Sequence, residues 1–204
     1  MNEDLRELIS HDEKIMWEGK PDKKCFIFES IFNPLLPFAL IWFLIDFSFI
    51  KGFTAFGAAS GMGMFLLGFF ALHLMPVWIY LFGVLLSVKR YKNLYYVVTT
   101  HAIYIRSGIF AKRVDSKPFA ELSHVNLHRG IFDQKFDVGD IVCTSNNMNP
   151  EGGVAAVSIS SIKEYKEVYN IVKKLQKDIY SDIMYPNDKR PDENHGYNTE
   201  YKGM

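Results

Sequence analysis

The sequence predicts a two-helix transmembrane hairpin followed by a small antiparallel β-sandwich or barrel, closed by a C-terminal α-helix. Three observations carry that reading. Ile31–Ile50 and Phe53–Val88 are long, nearly uncharged apolar stretches. After Lys92 the pattern changes from continuous apolar sequence to alternation rich in aromatic and β-branched residues. Behind Ser161, the residues Ile162, Tyr165, Val168, Tyr169, Val172 and Leu175 recur at helical spacing on one face.

The hairpin follows from length and polarity. A hydrocarbon core about 30 Å thick takes about 20 apolar residues in a helix. Ile31–Ile50 has that length with a single charge, Asp46, whereas a soluble core helix would carry polar positions at regular intervals. Phe53–Val88 holds no Asp, Glu, Lys or Arg and exceeds one perpendicular crossing. Two placements stay open for the second helix. It runs from near Phe69 to Val88, with Gly52–Gly63 as an apolar turn, or it starts near Met62 and bends at Pro76, whose ring removes a backbone donor.

Charge sets the expected topology. Lys14, Lys20, Lys23 and Lys24 precede the first stretch, Lys89, Arg90 and Lys92 follow the second, and Lys51 alone lies between them. The positive-inside bias then places both termini in the cytoplasm, giving a plasma-membrane protein with two spans. The first 24 residues lack an early apolar core with a small-residue cleavage site, so the first span is expected to act as an uncleaved anchor. Asp46 and His73 are the polar residues inside the hairpin. A second span starting near Phe69 would let them pair. The expected reading is that Asp46 snorkels to the outer interface and His73 faces the partner helix as a neutral hydrogen-bonding group.

Composition excludes other classes. Lys+Arg and Asp+Glu both total 23, so no global field points to nucleic acid or to an acidic substrate. Cys25 and Cys143 lie on opposite sides of the hairpin in sequence, which argues against a disulfide framework and for a reducing compartment.

In the soluble part, Leu94–Thr99 and Ala102–Arg106 form a hairpin across Thr99–His101. Val114–Pro118 is a short strand whose proline places it at an edge or end. Ser123–Arg129 alternates, with Val125 and Leu127 on one face and His124, Asn126 and His128 on the other. Asp140–Thr144 and Val154–Ile159 are two further strands separated by the turn-rich Ser145–Gly153. Ser161 and Glu164 have the spacing of a capping box for the last helix. Asn2–Ile15 suits a short amphipathic helix with Leu5, Leu8 and Ile9 on one side. Pro186–Met204 is polar, lacks periodic apolar residues and is expected to be disordered.

Candidate chemistry is sparse. His124 and His128 would share a metal only on a helix; four residues apart on a strand they are about 13 Å from one another, beyond a common shell. Cys143 reads as a small core residue. No nucleophile–base arrangement, paired carboxylates with a base or phosphate-cradling loop stands out. The chain is therefore expected to be no enzyme and to hold no cofactor or metal.

One run carries a family resemblance: Tyr96-Val97-Val98-Thr99-Thr100-His101-Ala102-Ile103-Tyr104-Ile105-Arg106-Ser107-Gly108-Ile109-Phe110. It resembles the opening hairpin of bacterial pleckstrin-homology (PH) domains. Phe119–Val125, Arg129-Gly130-Ile131-Phe132-Asp133-Gln134 and Phe136–Ile141 are similar to that family's later path. Trp17-Glu18-Gly19-Lys20-Pro21 followed by two spans resembles its membrane-anchored members, and Trp17 then packs on the soluble domain or anchors at the interface. The resemblance implies a PH-like α+β fold: a bent antiparallel sandwich or barrel of about seven short strands capped by a C-terminal helix. It implies no catalysis and no cofactor.

The expected organisation is a cytoplasmic N-terminal segment at 1–30, the hairpin at 31–88, the PH-like domain at 93–180 and the polar tail at 181–204. The expected function is a binding or scaffolding module at the cytoplasmic membrane face. Lys89, Arg90, Lys92, Lys112 and Arg113 are candidate contacts to the lipid surface, at about 1 kcal/mol per basic residue near anionic headgroups. Eukaryotic PH domains hold phosphoinositides with a basic cluster in the first hairpin loop; here that loop is only Thr99–His101, which disfavours such recognition. The alternative is a self-assembling or partner-recruiting subunit, with His124, Asn126, His128, Phe132 and Phe136 as the partner surface. Phe132 and Phe136 also suit capping of the barrel core. A transport role would rest on Asp46 and His73 alone.

Overall fold

The computed structural model describes residues 3–11, 13–60, 62–148 and 154–184. The expected disordered tail and part of the Ser145–Gly153 turn lie outside the described residues. From the N-terminus, α1 (Glu3–Arg6) and β1 (Ile15–Gly19) precede α2 (Lys23–Ile31), α3 (Leu35–Ser60), α4 (Gly63–His73) and α5 (Met75–Asn93). Strands β2 (Tyr95–Thr99), β3 (Ala102–Ser107) and β4 (Arg113–Pro118) follow, then a 3-10 turn at Phe119–Glu121 and β5 (Leu122–His128). After α6 (Ile131–Phe136) come β6 (Gly139–Met148), β7 (Val154–Ile162) and α7 (Tyr165–Met184). Two compact units result: Met1–Cys25 with Asn93–Met204, and Phe26–Lys92.

The first unit holds two antiparallel sheets, ordered β1-β2-β3-β4 and β5-β6-β7. The β2–β3 turn is fastened by Thr99, whose hydroxyl accepts the N–H of Ala102 at 3.0 Å and donates to the Glu13 carboxylate at 2.5 Å. Glu13 and Lys14 are thereby held against the hairpin, and the Thr100 N–H reaches the Lys14 carbonyl at 2.9 Å. Residues 15–19 then continue along β2 as an extra strand, with Gly19 opposite Tyr96. Trp17 therefore belongs to the sheet unit. The helix expected across Asn2–Ile15 shrinks to Glu3–Arg6, and its last expected residue, Ile15, instead opens the strand that pairs with β2. Leu5 is still apolar anchor enough to be 1% exposed, packed with Val97, Ala102 and Tyr104.

The last helix starts later than its sequence signals suggest. Ser161 does not cap it: it sits near the end of β7 with φ 55, its N–H donating to Asp140 Oδ1 at 2.7 Å and its carbonyl accepting the Asp22 N–H at 2.6 Å. These bonds keep residues 161 and 162 in the strand. Tyr165, Val168, Val172 and Leu175 still form the buried face of α7, while Ile162 is buried from β7. Phe119, Val138, Ile141 and Ile159 complete a core in which each full burial is worth about 1.5–3 kcal/mol.

In the helical unit, the first apolar helix begins at Leu35, four residues after Ile31. Asn33 ends the preceding turn, and its side-chain oxygen accepts the Leu35 N–H at 2.8 Å. Pro34, which has no N–H to lose, suits such a helix start. The helix then runs through Gly52 to Ser60, so Gly52–Gly63 is mostly helix instead of a turn. Its window Leu35–Phe53 is long and apolar enough to cross a membrane and is 11% buried. Gly63–His73 and Met75–Asn93 are bent by 52° at Leu74 and are together long and apolar enough to cross only when counted as one. This is close to the longer, bent alternative: Pro76 donates no hydrogen bond, and the chain restarts through Val77 N–H to Leu74 O at 2.9 Å.

Candidate functional site

Register places one set of candidate residues at a common end of the first sheet. Gly19 lies opposite Tyr96, Tyr95 opposite Arg106, and Ser107 opposite Arg113. The segments at Lys20, Asn93 and Ser107–Lys112 therefore share that end, while Glu13, Lys14, Thr100 and His101 share the other. Asn93 Nδ2 donates to the Gly108 carbonyl at 3.0 Å, and Arg106 Nε donates to the Asn93 carbonyl at 3.2 Å. Lys112 in the β3–β4 connection and Arg113 at the start of β4 are exposed, with Arg113 paired to Asp115 at 2.6 Å. Lys20, absent from the sequence-based lipid set, joins them, its ammonium 5.9 Å from the Tyr95 ring centre. Burial, then the hydrogen bond to Glu18, push the Tyr95 phenol up from 10.0. Lys89, Arg90 and Lys92 lie in the final turns of α5, in the helical unit.

A second cluster forms where β5, α6 and β6 meet. His128 is the register partner of Asp140, and Asp133 enters from the first turn of α6. Their ligand atoms lie within 4.8 Å of one another, making them a donor set that could hold a metal ion. His124 is not part of it, in line with the strand spacing. Both carboxylates already have backbone or thiol partners. Asp133, 1% exposed, accepts the Gly130 N–H at 2.7 Å and the Cys25 thiol at 3.6 Å. Asp140 accepts the Ser161 N–H at 2.7 Å. Burial pushes the Asp140 carboxyl up from 3.8; the Ser161 N–H opposes this, Asp133 adds to it and His128 opposes it. Asp133 and Asp140 carry no ligand spacing in the sequence, although Asp three residues after Gly130 is a helix-start pattern.

The expected partner residues are dispersed around this cluster. His124, Asn126 and His128 are exposed along β5, an edge strand of the second sheet. On the other face of β5, Val125 is half-buried and Leu127 is 39% exposed. Phe132 and Phe136 are half-buried in α6. Cys143 is fully buried, and burial pushes its thiol up to about 12, so it stays protonated and unreactive at neutral pH.

In the helical unit, Asp46 and His73 come together. His73 Nδ1 lies 2.8 Å from Asp46 Oδ1, and Trp42 Nε1 donates to the His73 carbonyl at 2.8 Å. Asp46 is 1% exposed, so it does not snorkel; the pair forms although the helix carrying His73 starts at Gly63. Trp42 and Phe69 stack on the imidazole at 5.1 and 5.4 Å.

A family model described as a bacterial PH domain matches residues 38–176, from within α3 to within α7. The chain belongs to the bacterial PH domain family. Its two antiparallel sheets and closing helix are the PH-like architecture, and PH domains are generally non-catalytic binding modules. No curated protein and no solved structure matches the chain. The matched stretch of this bacterial PH domain protein includes the apolar helices as well as most of the strands.

Proposed function

We propose that this bacterial PH domain protein is a non-catalytic binding or scaffolding module, held at the cytoplasmic face of the plasma membrane by a two-crossing hairpin. The observation that carries this reading is the exposure of the apolar helices. The Leu35–Phe53 window is 11% buried, whereas the core helix of a soluble protein of equal hydropathy would be mostly covered. Ile41, Leu44, Ile45, Phe65, Leu67 and Leu85 are among the large apolar side chains left exposed, a surface suited to lipid. The bent pair α4–α5 supplies the return crossing. Orientation rests on the basic residues: Lys14, Lys20, Lys23 and Lys24 before α3, and Lys89, Arg90 and Lys92 at the end of α5. In this reading the domains follow the sequence boundaries, with residues 15–19 added to the PH sheet, and both termini are cytoplasmic.

A topology reporter tests it. A fusion after Lys92 is expected to read cytoplasmic, and a fusion at residue 61 to read external. An external signal after Lys92 would overturn the two-crossing topology, and extraction of the full chain by carbonate would falsify the anchor.

A second reading is favoured by one observation, the exposed edge of β5 with His124, Asn126 and His128 on it. An edge strand offers unpaired backbone groups to another chain. Homo-oligomer formation or recruitment of a membrane protein would use this edge together with Phe132 and Phe136. Crosslinking of the intact protein in membranes is the test, and a monomer-only pattern argues against self-assembly.

A further inference from the structure

The turn between β3 and β4 carries an aromatic side chain that stands largely in the open. Phe110 is 83% exposed, and Ile109 beside it is half-buried. A single exposed phenylalanine is ordinary on a protein surface. This one differs in where it is held and in what flanks it.

Its place follows from register. Tyr95, which opens β2, lies opposite Arg106, so β3 returns to the end of the sheet where β2 begins. The chain enters β2 from Lys92 and Asn93, the last residues of α5. Asn93 Nδ2 holds the Gly108 carbonyl at 3.0 Å, and Arg106 Nε holds the Asn93 carbonyl at 3.2 Å. Phe110 is two residues beyond Gly108, a reach of at most about 7 Å. The turn is therefore fastened to the residue at which the chain leaves the apolar helix. Its shape is also specified: Gly108 has φ +121, and a Cβ there would run into the Ala111 carbonyl. Strand β1 leaves the sheet at the same end through Gly19 and Lys20.

The flanking charges suit one occupant. Lys112 and Arg113 follow Phe110 after the single residue Ala111, and Lys20 lies at the same end, although Asp115 already engages Arg113. An apolar tip bordered by lysines fits the boundary between acyl chains and anionic headgroups, where aromatic rings settle and ammonium groups reach the phosphates.

We propose that the Ser107–Lys112 turn is a membrane-interface wedge, in which Phe110 enters the lipid boundary beside the exit of α5 and fixes the PH sheet against the bilayer. This rests on the anchored reading above.

The test uses the full chain with Ala111→Cys carrying an environment-sensitive fluorophore, reconstituted into vesicles of phosphatidylglycerol and phosphatidylethanolamine. Cys25 and Cys143 are 0% exposed and stay unlabelled in the folded protein. A label at His101→Cys, at the other end of the β2–β3 hairpin, is the comparison. Nitroxide lipids with a shallow spin label are expected to quench position 111 at least about twofold more than position 101, as burial depth in the interface requires. Adding Phe110→Ser to the Ala111→Cys chain is expected to remove that difference while the protein stays with the vesicles. Equal quenching at both positions, or quenching untouched by Phe110→Ser, in a chain that resists carbonate removes the wedge and leaves the anchor standing. A chain washed off by carbonate removes both.

Discussion

Asp46 on α3 and His73 at the end of α4 meet at 2.8 Å, and the second Asp46 oxygen is buried without a partner among the described residues. In apolar surroundings such a carboxyl depends on its single neighbour. Removing one member strands the other, whereas replacing both by apolar groups removes the demand. His73→Leu is expected to lower the thermal stability of the detergent-solubilised chain by about 1–3 kcal/mol. The double variant Asp46→Leu/His73→Leu is expected to recover most of that loss. A double variant as unstable as the sum of the singles would show the two sites to be independent.

Asp22 caps α2. Its Oδ1 accepts the Cys25 N–H at 3.0 Å, and Lys163 lies 3.4 Å from Oδ2. Burial alone would raise its pKa, but the Cys25 and Lys163 bonds outweigh it and hold the carboxyl below 3.8. A depressed folded value means stabilisation present above 3.8 and lost as the pH falls through the lower folded value. Asp22→Ala is expected to cost about 1 kcal/mol at neutral pH, with the deficit shrinking in acid. Thermal unfolding of both proteins across that range measures it.

Asp140 has the opposite sign. Its folded value lies above 3.8, chiefly through burial. Stability from this group is therefore full below 3.8 and declines as the pH rises through the folded value. Asp140→Asn keeps an oxygen for the Ser161 N–H and removes the repulsion from Asp133. The variant is expected to equal the parent in acid and to exceed it in melting temperature at neutral pH. A loss of stability at neutral pH would mean that the charge itself is needed, as a bound cation at His128, Asp133 and Asp140 would require.

Sequence legibility tracked the range of the interactions. Tyr95–Thr99, Ala102–Ser107 and the α7 face were readable because alternation and helical spacing are local signals. β1 was not, since five residues flanked by charges become a strand only by pairing with β2, about eighty positions away. The start of α3 had a local signal in Asn33-Pro34, outweighed by the apolar run around it. Lys112 and Arg113 stand out in the sequence as adjacent basic residues, and both are exposed. The Asp133–Asp140–His128 cluster does not stand out, because it depends on β5–β6 register and on a carboxylate delivered by α6.

The N-terminal segment offers the sharpest check on the extent of the PH unit. Leu5 is 1% exposed and packs with Val97, Ala102 and Tyr104, while Glu13 holds the Thr99 hydroxyl and receives the Tyr104 phenol at 3.0 Å. If residues 5–19 are structural, Leu5→Ala removes a buried side chain from the sheet and is expected to cost about 2–5 kcal/mol. Leu8→Ala, at a position 56% exposed, is expected to change stability by less than about 0.5 kcal/mol. Hydrogen exchange gives the same contrast without a global melt: Leu5→Ala should speed exchange at the β2 amides that face β1 and leave those of β6 unchanged. Equal behaviour of the two leucine variants would mean that the sheet begins at β2 and that residues 5–19 only lie against it.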